Sequence, residues 1–401
     1  MASTCGIIAE YNPFHNGHLH NILRAKEASG ADTVIIALSG NFVQRGEPAI
    51  IDKYLRTRAA LQHGADMVLE LPTPYATASA ESFARGGVRL LAATGVVQYL
   101  CFGTESGDIS PLNALADLLV NETADFKSVL RKNLSQGKSF AVARQAAICA
   151  ASPDLGEKIK TGNANNILGV EYIKAIKREN LALVPIAVKR YGAAHNSSGF
   201  LQTSASASAI RKYVAQDNNL DNLASILPAK SLEMLQSRYQ ANAINHINNL
   251  SPYFHFALQN IDDVGCFGLQ EGLVNRLIAA SAKNYLISDI ILAAKCKNHA
   301  YTAIQRAILH ILLGITPQQS TSPVPYIRVL GVRRNRRDLL NQLYRSASLP
   351  IITNLKHSDN LPAAAKTMLE KELVMSRTYW LGLKPAGVTG VNEYSMHIVV
   401  I

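Results

Sequence analysis

A chain of 401 residues is long for one ordinary core, and 48% hydrophobic against 17% charged residues fits a globular protein rather than a disordered or fibrous one. The formal charge of +11 excludes an acidic, self-solvating chain and suits a polyanionic partner such as nucleic acid, although many basic proteins bind none. The longest apolar run, Ile304 to Ile315, is broken by Gln305, Arg306 and His310, short of the roughly 18 apolar residues of a membrane helix, so no membrane partner is expected.

The N-terminus, Met1-Ala2-Ser3-Thr4-Cys5, has no basic residue ahead of its apolar stretch and does not read as a signal peptide. Cys5 to Glu10 then reads as a short buried strand, and Asn12-Pro13 leads into a helical pattern from His15 to Ser29. Thr33 to Leu38 is the next strand, ending in Ser39-Gly40-Asn41. A helix over Asp52–His63 precedes a strand over Met67–Leu71. Another helix, Ser79–Ala93, precedes the strand Val97–Phe102 and Gly103. Short uninterrupted apolar strands separated by helices predict an α/β fold, a Rossmann-like doubly wound parallel sheet covered on both faces.

Ser110 to Ser152 reads as a helical insertion. Asn165–Glu179 is a further helix, Leu183–Lys189 a strand, and Ser206–Val214 a helix opening with serines. From about Pro228 the pattern turns mainly helical, with helices over Gly268–Asn284 and Tyr301–Leu313, and Gln318 to Pro325 resembles a linker. The expected division is a catalytic domain over 1–225 and a mainly helical domain over 226–401, with no internal repeat. The five cysteines, Cys5, Cys101, Cys149, Cys266 and Cys296, stand far apart without a Cys-x-x-Cys pair. That spacing points away from disulfides or a zinc ribbon and toward a reducing cytoplasm.

The decisive segment is Gly6-Ile7-Ile8-Ala9-Glu10-Tyr11-Asn12-Pro13-Phe14-His15-Asn16-Gly17-His18. A strand runs into a loop, and a helix opens at His-x-Gly-His. Free main-chain N–H groups at a helix start attract anions, and Gly17 leaves room for a triphosphate. His15 and His18 face the same way on a helical turn and can both donate to charge growing on an α-phosphate. A zinc site would need further ligands that neither a cysteine nor a second His-x-x-His supplies. His20 projects from another side of the helix.

Other candidates carry two readings each. Gly103 opens Gly-Thr-Glu-Ser-Gly at a strand's carboxyl end, where a ligand loop or a plain turn would sit. Asn165 and Asn166 precede a helix, as caps or as ligand-binding amides. Arg190 ends a strand beside Lys189, as a phosphate fork or a solvated end. The polar loop Gly40–Pro48, with Asn41, Gln44, Arg45 and Glu47, is placed to close on substrate. Lys53, Arg56 and Arg58 on the next helix read as a solvated face. Arg328, Arg333, Arg334, Arg336 and Arg337 fall within ten residues and read as RNA contacts or a charged loop. His63, His299, His310 and Trp380 read as ordinary packing or surface residues.

His15-Asn16-Gly17-His18 resembles the His-x-Gly-His signature of the nucleotidyltransferase superfamily. The run from Glu10 to His18, with Ser39–Pro48, Phe102–Glu105, Asn165–Gly169 and Val188–Arg190, resembles the bacterial tRNA(Met) cytidine acetate ligases. The resemblance is dense to about Arg211 and looser beyond. It implies an enzyme that uses ATP, with Mg2+, to turn acetate into acetyl-adenylate. The acetyl group then passes to the exocyclic amine of the wobble cytidine in the anticodon loop of elongator tRNA(Met). The implied ATP site is Ile7, Ile8, Ala9, Glu10, Tyr11, Asn12, Pro13, Phe14, His15, Asn16, Gly17, His18, Leu19 and His20, with Gly103, Asn165 and Arg190. Ser204–Arg211 resembles a serine-rich phosphate motif of the superfamily, and reads equally as a capped amphipathic helix. The rival functions are an adenylyltransferase for a small phosphorylated metabolite and a non-catalytic RNA-binding protein. Oligomeric state leaves no mark in the sequence.

Overall fold

The computed structural model describes residues 3–159, 164–190, 205–216, 219–260, 269, 271–296, 299–383 and 391–401. Met1, Ala2, Ser204, Cys266 and Gly268, named above, lie outside them. The strands are β1 (Thr4–Ala9), β2 (Thr33–Ser39), β3 (Phe42–Val43), β4 (Glu47–Pro48), β5 (Met67–Leu71), β6 (Tyr99–Thr104), β7 (Val184–Lys189), β8 (Ile327–Val332), β9 (Ile351–Ile352) and β10 (Val399–Val400). In the first half the helices are α1 (Asn16–Ser29), α2 (Lys53–Gln62), α3 (Thr73–Ala76), α4 (Ala80–Ala93) and α5 (Ser110–Val120). They continue as α6 (Ala124–Ser135), α7 (Phe140–Ala151), α8 (Pro153–Lys158), α9 (Ala164–Arg178) and α10 (Ala207–Ala215). The remainder are α11 (Ala229–Gln240), α12 (Ser251–Gln259), α13 (Glu271–Ser281), α14 (Ile287–Ala294), α15 (Tyr301–Leu313), α16 (Pro317–Thr321), α17 (Asp338–Ser346) and α18 (Ala363–Leu381).

The main sheet runs β10-β8-β5-β2-β1-β6-β7, with β9 on β8. β1, β2, β5, β6 and β7 are parallel, and their buried apolar runs need helices on both faces. The chain moves from β1 out to β2 and β5, then returns to β6 and β7 on the other side. The order therefore reverses between β1 and β6, and a crevice opens at their carboxyl ends. α4 and α9 cover one face, where Phe83, Val88, Leu91, Ile173 and Phe102 join one large apolar core. α1 and α2 cover the other, through Ile22, Ala25, Ala59 and Leu61.

The expected break near residue 225 does not divide the sheet from the helices. β8 lies antiparallel on β5, with Glu70 opposite Arg328, so the later half completes the sheet that the first half begins. Ser225 and Ile226 are not a linker either. Their carbonyls accept from the Asn16 side chain and main-chain N–H and so fasten the start of α1. The Gln318–Pro325 stretch is likewise packed, for Gln319 and Ser320, within α16, and Val324, after it, are buried. Gly331 explains why this strand is hard to read, since a Cβ there would meet the Val399 carbonyl oxygen at 2.7 Å. The glycine lets β10 approach, although it weakens the strand pattern. No described helix is long and apolar enough to cross a membrane.

Candidate active site

His-x-Gly-His folds into a capping box made of imidazoles. His15 is the N-cap of α1, and its Nδ1 accepts from the Gly17 N–H at 3.0 Å. The Nδ1 of His18 accepts in turn from the His15 N–H at 3.2 Å. The glycine is required because a Cβ at position 17 would stand 2.8 Å from Cε1 of the His15 ring. Gly17 thus makes room for a histidine, not directly for phosphate. The two rings stack at 3.7 Å between centroids and 26° between planes.

This arrangement corrects the expectation of a bare helix N-terminus. The Asn16 N–H goes to the Ile226 carbonyl, and those of His18 and Leu19 go to the His15 carbonyl. With the Gly17 N–H held by His15, the first turn has no free main-chain donor to offer an anion. What it offers is Nε2. Each Nδ1 is an acceptor, so each neutral ring carries its proton on Nε2. Burial holds both rings neutral: the His15 pKa is pushed down to about 3, with Arg190 adding to the effect. His18 is lowered for the same reason, with His15 and then Arg190 as further causes.

Across the crevice, Arg190 follows β7 and donates through Nη1 to Asn165 Oδ1 at 2.8 Å. Asn165 Nδ2 donates to Glu105 Oε1 at 3.0 Å, so the amide orients the guanidinium. A Cβ on Gly103 would press on Arg190 Cγ at 3.0 Å, which ties the glycine to the arginine's path. A cavity of about 200 Å³ between these groups is lined by Ile7, Ile8, Ala9, Glu10, Tyr11, His15, Gly17, His18 and His20. Its other wall is Asn21, Phe102, Gly103, Asn165, Leu168, Tyr172, Lys189 and Arg190. An adjoining space of about 440 Å³ keeps Glu10, both histidines, Asn165 and Arg190, and adds Gln44, Arg45, Ser206, Ser208, Arg211 and Arg306 among its lining. Arg45, Arg190 and Arg306 around a carboxyl-edge crevice make an anion site, while Arg211 is paired with Glu47 at 2.6 Å.

Within Ile7–His20 some residues are structural. Asn12 Oδ1 accepts from the Ile50 N–H and its carbonyl accepts from Arg211, while Phe14 stacks on His63 at 5.1 Å. Asn12, Pro13, Phe14, Asn16 and Leu19 do not line either space. Arg56 is buried beneath the loop, donating to the carbonyls of Glu10, Ser39, Gly40 and Ile51 and tying the ends of β1 and β2 together. Lys53 is equally buried, bonded to Glu70 at 2.6 Å and Glu393 at 2.9 Å. Neither belongs to a solvated face; of that trio only Arg58 is exposed.

Loop 40–48 is pinned. Asn41 bonds Ser376, Gln44 N–H donates to Glu10 Oε1, and a Cβ on Gly46 would meet the Arg306 main chain at 2.6 Å. Sequence reading passed over Asn21, Tyr172 and Arg306. Asn21 follows His18 by three and Tyr172 follows Asn165 by seven, so helical spacing carried a signal for both. Nothing local marks Arg306.

The arginine cluster divides. Arg328 is buried against Glu70 and Glu393 at 2.9 and 2.7 Å. Arg333 and Arg336 lean toward Asp66 at 3.7 and 3.8 Å, while Arg334 and Arg337 are exposed. β8 runs antiparallel to β5, so residues 333–337 sit at the amino edge of the parallel strands, opposite the crevice.

A model of the HIGH Nucleotidyl Transferase family matches residues 2–390. A tRNA(Met) cytidine acetate ligase of Acetivibrio thermocellus is 35% identical, over 99% of this chain and 99% of its own. That of Halothermothrix orenii is 36% identical over 92% and 91%. Thermotoga maritima TmcAL bound with alpha-thio ATP has a TM-score of 0.91 at 30% identity, covering 100% of this chain and 99% of that one. Its apo form gives 0.93. The chain belongs to the HIGH nucleotidyl transferases and, among them, to the tRNA(Met) cytidine acetate ligases.

Proposed function

We propose that this enzyme is an ATP-dependent ligase that activates acetate as acetyl-adenylate and acetylates the wobble cytidine of elongator tRNA(Met). The observation that carries the reading is the imidazole capping box, which aims two neutral N–H donors into a crevice ringed by Arg45, Arg190, Arg211 and Arg306. A carboxylate oxygen of acetate attacks the α-phosphorus, and the bond to pyrophosphate breaks. His15 and His18 donate from Nε2 to the phosphate oxygens that gain charge, and Arg190, across the cavity, holds the departing pyrophosphate. Being neutral, the rings give up no proton they need to hold, and being stacked and capped, they need no rearrangement.

In the second step the cytidine amine attacks the acyl carbon, AMP leaves, and the amine loses a proton. That amine is a poor nucleophile because its lone pair is delocalised into the ring, so a mixed anhydride is a fitting donor. An unpaired loop base can enter such a crevice without melting a duplex. The RNA approaches the carboxyl edge, between the sheet and the helices that follow residue 226. The reaction belongs in the cytoplasm, where ATP and tRNA meet.

Among the described residues no cluster of three or more His, Cys, Asp or Glu side chains offers a metal cage, and Glu10 is the one carboxylate lining the two spaces. Mg2+ entering with the triphosphate would find Glu10 as the carboxylate able to hold it, and would neutralise triphosphate charge. The test is acetate-dependent exchange between pyrophosphate and ATP, followed by labelled acetate into tRNA nucleosides. Exchange with acetate but not without it is expected. Absence of exchange, with AMP joined to a metabolite instead, would restore the adenylyltransferase rival.

A further inference from the structure

A third space, of about 320 Å³, opens beside the reaction crevice between β4, the outer side of α10 and residues 244–247. Ser208 and Arg211 line both spaces, but neither catalytic histidine reaches the third. We propose that it is a nucleobase subsite, which takes an unpaired base adjacent to the acylated cytidine in the RNA loop. This rests on the tRNA reading above.

The lining fits a neutral flat ring better than an anion. Ile50, Val214 and Ile247 supply aliphatic walls, and Arg211 is already neutralised by Glu47 at 2.6 Å. A phosphate would lose its hydration against those walls and find no uncompensated deep cation. A base loses little there, because its faces are apolar and its polar edge needs only a few donors. His246 supplies one. The side chain is exposed at the edge of the space, yet partial desolvation lowers its pKa, and because its Nδ1 accepts from the Asn248 N–H at 3.2 Å the neutral ring carries Nε2–H. Glu47 opposes that shift and Arg211 reinforces it, without reversing it. Lys212 is exposed at the rim, where the adjoining RNA phosphate would pass. The cytidine itself cannot be the occupant, since its amine has to reach the acyl carbon beside His15 and His18.

Ala215 lines the space and is exposed, so Ala215→Trp fills it without disturbing a buried side chain. The expected result is a rise of roughly tenfold in KM for tRNA(Met), with acetate-dependent ATP–pyrophosphate exchange and thermal midpoint unchanged. His246→Ala shifts KM in the same direction by less, and His246→Gln restores part of it. The decisive arm uses tRNA(Met) transcripts made abasic immediately 5′ or 3′ of the acylated cytidine. On one of them the penalty of Ala215→Trp should vanish, because the base it displaces is already gone. A normal KM for Ala215→Trp, a penalty that persists in full on both abasic transcripts, or a matching loss of exchange would each overturn the subsite. Wild-type enzyme lacking acetate-dependent exchange would instead overturn the ligase reading beneath it.

Discussion

Lys53, Arg328, Glu70 and Glu393 bury two cations against two carboxylates beneath the Gly40 turn, whereas buried His15 and half-buried His18, at the other side of the same sheet edge, are held uncharged and have no carboxylate partner among the described residues. Both clusters are made of ionisable side chains out of water. In the first, every charge faces an opposite charge, Ser376 and Tyr54 add bonds to Glu393, and nothing is directed at an empty space. In the second, one nitrogen of each ring is consumed by the main chain and the other has no partner among the described residues. Burial of ionisable groups therefore does not identify a reaction site. A donor held rigidly with its far end unused does.

The largest expected effect lies in the ion cluster. Lys53→Met leaves Glu70 and Glu393 sharing Arg328 alone, and breaking such a buried set costs about 3–5 kcal/mol. Urea unfolding should show that loss, while exchange activity per folded molecule stays within about twofold. Intact stability would mean that Arg328 satisfies both carboxylates by itself.

His18→Ala should do the reverse. Acetate-dependent exchange falls by about 10²–10³, the typical loss for one transition-state donor. Stability drops only by the capping bond to the His15 N–H, about 1 kcal/mol. A variant that turned over normally would remove the imidazoles from the chemistry.

Opposite pH dependences sharpen the contrast. Glu372 accepts from the Thr73 N–H and hydroxyl, and burial with the neighbouring Glu70 charge raises its pKa from 4.5 to about 7. A carboxyl raised on folding contributes stability below its unfolded pKa and loses that contribution as pH rises from about 4.5 through about 7. For His15 the folded pKa is depressed from 6.5 to about 3, so its contribution is present above 6.5 and is lost as pH falls toward 3. Denaturation midpoints between pH 4.5 and 8 should therefore flatten at the upper end in Glu372→Gln. Wild-type slope retained in that variant would assign the titration to another group.

The smallest effect belongs to the exposed arginines of the far edge. Arg334→Ala with Arg337→Ala should change tRNA acetylation by less than about twofold. Arg45→Ala or Arg306→Ala, at the crevice, should each lower the log–log salt slope of tRNA binding by roughly 0.7 to 0.9. A larger slope change from the far pair would carry the RNA around the sheet.

Alternation of short apolar runs with helical spacing made the parallel half of the sheet and the strand–loop–helix at His15 legible in the sequence, because those patterns follow from local periodicity. The same locality hid β8, whose Arg328 and Gly331 look wrong for a central strand until Glu70, Glu393 and β10 stand beside them. It also turned Lys53 and Arg56 into surface residues and made five arginines look like one patch. The motif marked the two histidines and the glycine together as a candidate phosphate site. Only the folded chain decided the division of labour: Gly17 yields to the His15 ring, the helix amides are consumed, and Nε2 is left as the donor. Burial, pairing of charges and direction of a proton depend on residues far apart in the chain, and no local spacing encodes them.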